Sequence, residues 1–308
     1  MTAPTVSVLV AAYNAEQTIA MAVRSALAQT AHLHEVIVVD DASTDRTLDI
    51  LHGIADPRLR VLRQSARQGP GVARNRAMEM ATGQWLAILD ADDAFEPQRL
   101  ERLLAGFPPA NEYTMLADHW IYCRSRASAL VPWQYCKKLP PVLDLNTFLH
   151  QQHFLVKPLL PASIRDTDIR YPAYYSWEDA VFMCRLMARG YQLLVHSEPL
   201  YLYRLRRESL SHDLRWRPTM ESVFTALFEE LEPVLDDQGR NVLLDYIQMT
   251  RRVQHYLPVL QALRSKHYGQ LVKLLYNDQS RRREFIRRIG PSVIRRLNML
   301  RLPGTTGR

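Results

Sequence analysis

The sequence predicts an α/β protein built on a mostly parallel sheet with helices on both faces. Three observations carry that prediction. Strand-like and helix-like segments alternate four times within the first hundred residues, and their connections are short. The strands are continuous apolar runs rather than alternating ones, which suits burial on both faces and right-handed crossovers. Polar clusters stand at the strands' carboxyl ends, where such sheets bind ligands.

The elements follow in order. Val6–Ala12 is the first strand and ends at Tyr13-Asn14. Asn14 and Gln17 are spaced as a capping box for a helix whose apolar positions Ile19, Val23, Ala26 and Leu27 run to about Gln29. Val36–Val39 is a fully apolar strand stopping at Asp40-Asp41. Ser43-Thr44-Asp45 then opens a helix carrying Leu48, Leu51 and Ile54. Arg60–Leu62 is a short strand, Gln68-Gly69-Pro70-Gly71 a turn, and Val72–Ala81 a helix closed by Gly83. Trp85–Leu89 is the next strand and ends in Asp90-Ala91-Asp92-Asp93. Thr114–Ala117 reads as a late strand ending at Asp118-His119. Trp177-Glu178-Asp179 begins an amphipathic helix with Val181, Phe182, Leu186 and Met187 on one side. Beyond Pro218 the pattern turns to long helical periodicity, with Val223, Leu227, Phe228, Leu231 and Val234 in one stripe and Val242–Tyr246 beginning another.

Charge is unevenly spread over the 308 residues. The formal net charge is +7, yet residues 251–308 hold 14 basic and 2 acidic residues, and the first 250 hold 25 basic and 30 acidic. An acidic body with a basic tail argues against a general nucleic-acid binder. No apolar run approaches the roughly 20 residues of a membrane span, and the N-terminus lacks a charged leader region. Three widely spaced cysteines (Cys123, Cys136, Cys184) form neither a metal nor a disulfide pattern, so reduced thiols and a cytoplasmic setting are expected.

Two aspartates one residue apart at the end of a buried strand suit a hard divalent cation such as Mg²⁺ or Mn²⁺, which keeps open positions for water and phosphate. The same residues would equally cap the helix near Pro97–Leu104. Asp41 can accept from a base or ribose, or cap the helix beginning near Asp45. Arg67, Arg74 and Arg76 surround a glycine turn and could face phosphates. That turn is neither a dinucleotide fingerprint nor a P-loop.

Together, VSVLVAAYNAEQTI, EVIVVDDASTDRT, RQGPGVARNRA and WLAILDADD resemble the family 2 glycosyltransferases of the GT-A fold, in order and spacing, over about residues 4–105. The resemblance implies a GT-A domain with a C-terminal helical extension: a nucleotide-sugar half (1–110), an acceptor half (111–217) and a helical, basic region (218–308). It implies that Ala12, Tyr13 and Asn14 line a nucleotide pocket, that Asp41 holds the base, and that Gln68 and Arg74 lie near the donor. Asp90, Ala91 and Asp92 then form the metal-binding D-x-D element, with Asp92 the direct ligand of Mn²⁺ or Mg²⁺. In the second half the chain resembles members with Lys-Pro-Leu (Lys157-Pro158-Leu159), then Tyr-Pro, then Glu-Asp. That implies Asp179 as catalytic base, supported by Glu178, with Trp177 and Asp118 as acceptor contacts. Tyr203-Arg204 and Ser209-Leu210-Ser211 resemble the region that closes over the diphosphate, which gives Arg204 a donor contact. Many members carry a metal-binding histidine two residues after that arginine, where this chain has Arg206.

The implied reaction is inverting transfer of a hexose, UDP-glucose the modal donor, to a glycan acceptor on a lipid carrier during surface polysaccharide assembly. A nucleotidyltransferase would share the paired aspartates, but usually needs a glycine-rich loop with a lysine where this chain has Ala11-Ala12-Tyr13-Asn14. A non-catalytic nucleotide-sugar-binding module would not need Glu178-Asp179. From Ser280 a run of arginines (Arg281, Arg282, Arg283, Arg287, Arg288, Arg295, Arg296) is interleaved with Phe285, Ile286, Ile289, Val293, Ile294 and Leu297. A basic amphipathic helix of this kind would hold the enzyme on the anionic inner face of the cell membrane; a helix packed on the acidic body is the alternative.

Overall fold

The computed structural model describes residues 4–107, 111–126, 129–151, 155–173, 177–205, 217–264, 267–276 and 278. The chain forms two compact units, Met1–Asp213 with Glu230–Val242, and Leu214–Glu229 with Leu243–Arg308.

The first unit opens with β1 (Val6–Ala12), α1 (Ile19–Leu27), β2 (Leu33–Asp40), α2 (Thr47–His52), β3 (Leu59–Arg63), α3 (Pro70–Met80) and β4 (Trp85–Asp90). These strands pair in parallel in the order β3-β2-β1-β4. Val8, Val10, Val36–Val39 and Leu86–Leu89 are buried, as continuous apolar runs require when helices cover both faces.

The second half makes the sheet mixed. It comprises β5 (Ala94–Phe95), α4 (Arg99–Ala105), β6 (Thr114–Arg126), β7 (Ala129–Tyr135), β8 (Val142–Leu143), α5 (Leu145–Gln151), β9 (Leu159–Pro161), α6 (Glu178–Ala188) and β10 (Gln192–Arg204). Among the described residues the sheet continues from β4 through β9, β6 and β10 to β5, with β7 on β6 and β8 on β10. Strand β9 runs antiparallel between β4 and β6, while β6 and β10 are parallel. The reversed strand matters for the site. Because β9 begins beside Ala87 and descends toward Trp85, the preceding Lys157 is delivered to the carboxyl end of β4. Bulges in β10 accommodate Pro199, which cannot donate to the ladder.

Three sequence expectations change. Asn14 does not cap α1: it sits at φ 48°, its side-chain oxygen accepts from the Thr44 amide at 2.8 Å, and Thr18 takes the N-cap position. Helix α2 begins at Thr47, after Asp45 has spent its carboxylate on the Thr47 amide and hydroxyl and the Glu16 amide. Asp118 is mid-strand, because β6 runs from Thr114 to Arg126.

Helices α7 (Arg217–Leu231), α8 (Asp237–Arg264) and α9 (Tyr268–Tyr276) complete the described chain. In the second unit Phe224 stacks on Tyr246 with centroids 5.1 Å apart, and Arg251 pairs with Glu221 at 2.6 Å. Among the described residues no helix is long and apolar enough to cross a membrane. The arginines from 281 to 296 lie outside the described residues. The three cysteines are free and buried.

Candidate active site

The parallel register aligns the strand ends. Ala12 faces Asp40 across β1–β2, and Ala11 faces Asp90 across β1–β4. At one end of this row, Tyr13 is exposed and lies under the Arg67 guanidinium, 3.9 Å from its ring centroid. The Asn14 amide donates to Ser43 Oγ at 2.9 Å, and the Asp41 amide donates to the Ala12 carbonyl. Ala12, Tyr13, Asn14 and Asp41 therefore meet at one edge.

Asp41 is buried and heavily used. Its Oδ1 accepts from Gln64 Nε2 and the Gln68 amide, both at 2.7 Å, and its Oδ2 accepts from the Gly69 amide at 2.8 Å. The residue therefore ties the glycine turn to β2. Gly69 stands at φ 97°, a conformation that favours glycine, and Pro70 follows in the first turn of α3, where its missing N–H costs nothing.

The other end of the row is a cluster of opposite charges. Arg74, in α3, is buried and reaches Asp90 Oδ1, Glu178 Oε1 and Asp179 Oδ1, each at 2.8 Å. Lys157 is equally buried, with Nζ 2.8 Å from Asp90 Oδ2 and 2.5 Å from Asp179 Oδ2. Burial alone would raise Asp90, but Lys157 and Arg74 outweigh it and hold the carboxyl well below the usual range. Burial also opposes charge on Lys157 and Arg74, and the facing carboxylates reverse that, raising both above their ordinary values. Glu178 is pushed up, first by burial and then by Asp179 beside it.

Local packing fixes this geometry. Asn75, next to Arg74, donates from Nδ2 to the Tyr171 carbonyl and accepts the Tyr171 amide, imitating a strand pair. Tyr171 stacks on Phe182 of α6 with centroids 3.8 Å apart. A Cβ on Gly71 would come within 2.3 Å of the Pro172 carbonyl oxygen. The GPGVARN stretch thus docks α3 against the segment leading to α6, whose first turn carries Glu178 and Asp179.

Asp90, Asp92 and Asp93 each bring a carboxylate oxygen within 4.8 Å of the others. Both oxygens of Asp90 already face cations. Asp93 is buried, accepting from Tyr201 Oη at 2.8 Å and the Arg204 amide at 2.7 Å, and burial with Asp92 and Asp90 nearby raises it well above the usual range. Asp90 and Asp92 are both half-exposed, and the Asp92 carbonyl accepts from Arg204 Nε at 2.7 Å. The donor set is all hard oxygen and fits Mg²⁺ or Mn²⁺. Ala91 lies in the same turn, half-exposed.

Asp118 and Trp177 are the remaining expected acceptor contacts. Asp118 receives Arg99 Nε and Nη2 on Oδ1 at 3.0 and 2.6 Å, and the Leu200 amide on Oδ2, with both ion-pair partners buried. A carboxylate so enclosed serves the packing of the core. Trp177 adopts φ 72° as the N-cap of α6 and is half-exposed. Arg206 and Ser209–Ser211 lie outside the described residues.

Residues 7–124 match the family described as "Glycosyl transferase family 2". They are a family 2 glycosyltransferase domain. The succinoglycan biosynthesis protein ExoO of Rhizobium meliloti is 32% identical over 225 residues, 69% of this chain. The chain spans 64% of that relative's length. An Escherichia coli protein named UDP-Glc:alpha-D-GlcNAc-diphosphoundecaprenol beta-1,3-glucosyltransferase WfaP is 44% identical over 88 residues, 29% of this chain and 35% of its own. The solved structure of Staphylococcus aureus TarS 1–349 in complex with UDP-GlcNAc superposes with a TM-score of 0.65 at 23% identity, covering 88% of this chain and 79% of that one. That likeness shows the fold, which is the GT-A arrangement.

Lys157 is the residue that sequence reading left without a site role. Its motif was visible, but its partners lie 67 and 22 positions away in the chain. Arg74, expected near the phosphates, joins Asp90 to Glu178 and Asp179.

Proposed function

We propose that this protein is an inverting, metal-assisted glycosyltransferase of surface polysaccharide assembly. It moves a hexose from a nucleotide sugar, UDP-glucose first among donors, to a glycan acceptor carried on a lipid. The observation that carries the reading is the pair of buried cations, Arg74 and Lys157, each contacting both Asp90 at the strand end and Asp179 on α6. They hold the D-x-D turn and the Glu-Asp pair as one unit. The relatives' names support the substrate class: one acts with UDP-Glc on a diphosphoundecaprenol-linked sugar, and a similar fold binds UDP-GlcNAc.

In this reading Ala12, Tyr13, Asn14 and Asp41 receive the nucleoside. Gln68 shapes the turn beside it, and Arg204 and Ala91 lie along the diphosphate. A divalent cation on Asp92 would offset the charge that builds on the departing diphosphate. Asp179 takes the proton of the acceptor hydroxyl as that oxygen attacks the anomeric carbon. A carboxylate offers about four lone-pair sites, so Asp179 can hold Lys157 and Arg74 and still accept a hydroxyl. Glu178, raised by its burial, supports the orientation through Arg74, and Trp177 borders the acceptor. The basic tail brings the enzyme to an anionic membrane surface on the cytoplasmic side.

Calorimetric titration with UDP-, GDP- and dTDP-sugars, each with Mn²⁺ or Mg²⁺, tests the donor assignment. Binding of a UDP-sugar that weakens in Asp92→Asn is expected. Absence of binding to every nucleotide sugar would overturn it.

A further inference from the structure

We infer that the β6–β7 hairpin is a docking surface for an anionic lipid bilayer, set at the same edge of the sheet as the candidate active site. The inference rests on the proposed membrane-bound acceptor, but it assigns contact to a part of the chain other than the basic tail.

Composition is the first observation. Residues 119–143 contain four cations (Arg124, Arg126, Lys137, Lys138) and no acidic residue, although the first 250 residues are acidic overall. Exposure is the second. Val131, Trp133 and Tyr135 are 38, 53 and 65% exposed, and Arg124, Lys137 and Lys138 are exposed with them. The Arg124 guanidinium lies 4.1 Å from the Trp133 ring centroid, which joins these two residues into one surface, and Lys137 and Lys138 follow just past the end of β7. Strand β7 pairs with β6, and among the described residues no strand covers its other edge.

Position is the third. Cys123 of β6 lies opposite Arg204 of β10, the residue that binds the Asp92 carbonyl and reaches Asp93. Strand β6 then continues through Arg124–Arg126 before returning in β7. At about 3.3 Å per residue the Arg124–Arg126 end of the hairpin projects about 10 Å beyond that row, and Trp133 stands level with the row itself. A flat surface lying on the hairpin would therefore stand beside the edge where the acceptor must enter.

The residue types choose the occupant. Tryptophan and tyrosine settle at headgroup level, where the ring body is buried and the polar edge stays wet. Cations without intervening acids are drawn to an anionic leaflet, each contributing on the order of 1 kcal/mol. A neutral glycan would use the rings but leave the cations without purpose. A soluble polyanion would use the cations but not the exposed Val131.

The test uses the full-length protein and vesicles of equimolar phosphatidylcholine and phosphatidylglycerol, with bromine on the acyl chains as a quencher of tryptophan fluorescence. Quenching in the wild type that disappears in Trp133→Phe, while vesicle flotation persists, supports the proposal. Lys137→Ser with Lys138→Ser is expected to weaken partitioning roughly 25-fold, about fivefold per cation, at unchanged Tm. Flotation with identical quenching in wild type and Trp133→Phe would overturn the hairpin assignment and leave the tail as the anchor. Absence of flotation would overturn both, and binding to dextran sulfate but not to vesicles would assign the hairpin to a polyanion instead.

Discussion

Replacing Lys157 by methionine keeps most of the side chain's volume and removes its charge. Asp90 Oδ2 and Asp179 Oδ2 then lose a cation at 2.8 and 2.5 Å, inside a cluster where three carboxylates already face two cations. Removing one member of a buried ion pair costs about 3–5 kcal/mol, because the remaining charge is left without compensation. Arg74 still contacts both Asp90 and Asp179, so the lower end, about 3 kcal/mol, is expected. At roughly 2–4 °C per kcal/mol for a domain of this size, that is a fall in Tm of roughly 6–12 °C. Asp179 would also lose the contact that aims one of its oxygens. Misplacing a reacting group by about 1 Å can cost about 100-fold in rate, so kcat should fall by about that factor while donor KM changes little. Lys157→Arg retains the charge and should recover most of the stability. Urea unfolding measures the first effect and nucleoside diphosphate release the second. A Lys157→Met variant with unchanged unfolding midpoint and unchanged turnover would refute the account of this cluster.

Other outcomes follow from separate parts of the fold. At the opposite edge of the sheet, burial would raise Glu35, but hydrogen bonds from Thr82, Arg60 and Ser7 outweigh it and lower the carboxyl to about 2. A lowered pKa contributes stability that is present above the unfolded value and lost as pH falls toward the folded one. Glu35→Gln should therefore cost about 2–3 kcal/mol at pH 7, and its deficit against wild type in urea unfolding should shrink as pH falls from 4.5 toward 2. Asp118→Ala leaves Arg99 buried without its carboxylate and should lower stability by about 3–5 kcal/mol; a change confined to acceptor KM would return Asp118 to the acceptor site. Gly71→Ala drives a methyl group to 2.3 Å from the Pro172 carbonyl oxygen, and should cost about 1–3 kcal/mol in unfolding free energy.

The parallel half of the fold was legible because its signal is local. Val6–Ala12, Val36–Val39 and Trp85–Leu89 are apolar at nearly every position, and the structure moves their boundaries by only a few residues. The strand ends were legible for the same reason, since Asp41 and Asp90 interrupt such runs. What depended on distant partners was not. Thr114–Ala117 looked finished at Asp118 because a carboxylate inside a strand is costly; Arg99, far along the chain, makes it tolerable. Arg74 and Lys157 are long side chains whose destinations no spacing rule specifies. Asn14 matched a capping-box pattern, yet its φ of 48° and its bond to Thr44 serve the β1–β2 edge instead.

The central claim is that Asp179, held by Lys157 and Arg74, takes the proton in a transfer from a nucleotide sugar. Release of UDP from a bound UDP-sugar in the presence of a lipid-linked glycan acceptor measures this directly, comparing wild type with Asp179→Asn. The account predicts that the asparagine variant binds donor with unchanged affinity and loses at least about 100-fold in turnover, the lower range for a missing general base. Normal turnover by Asp179→Asn would contradict it.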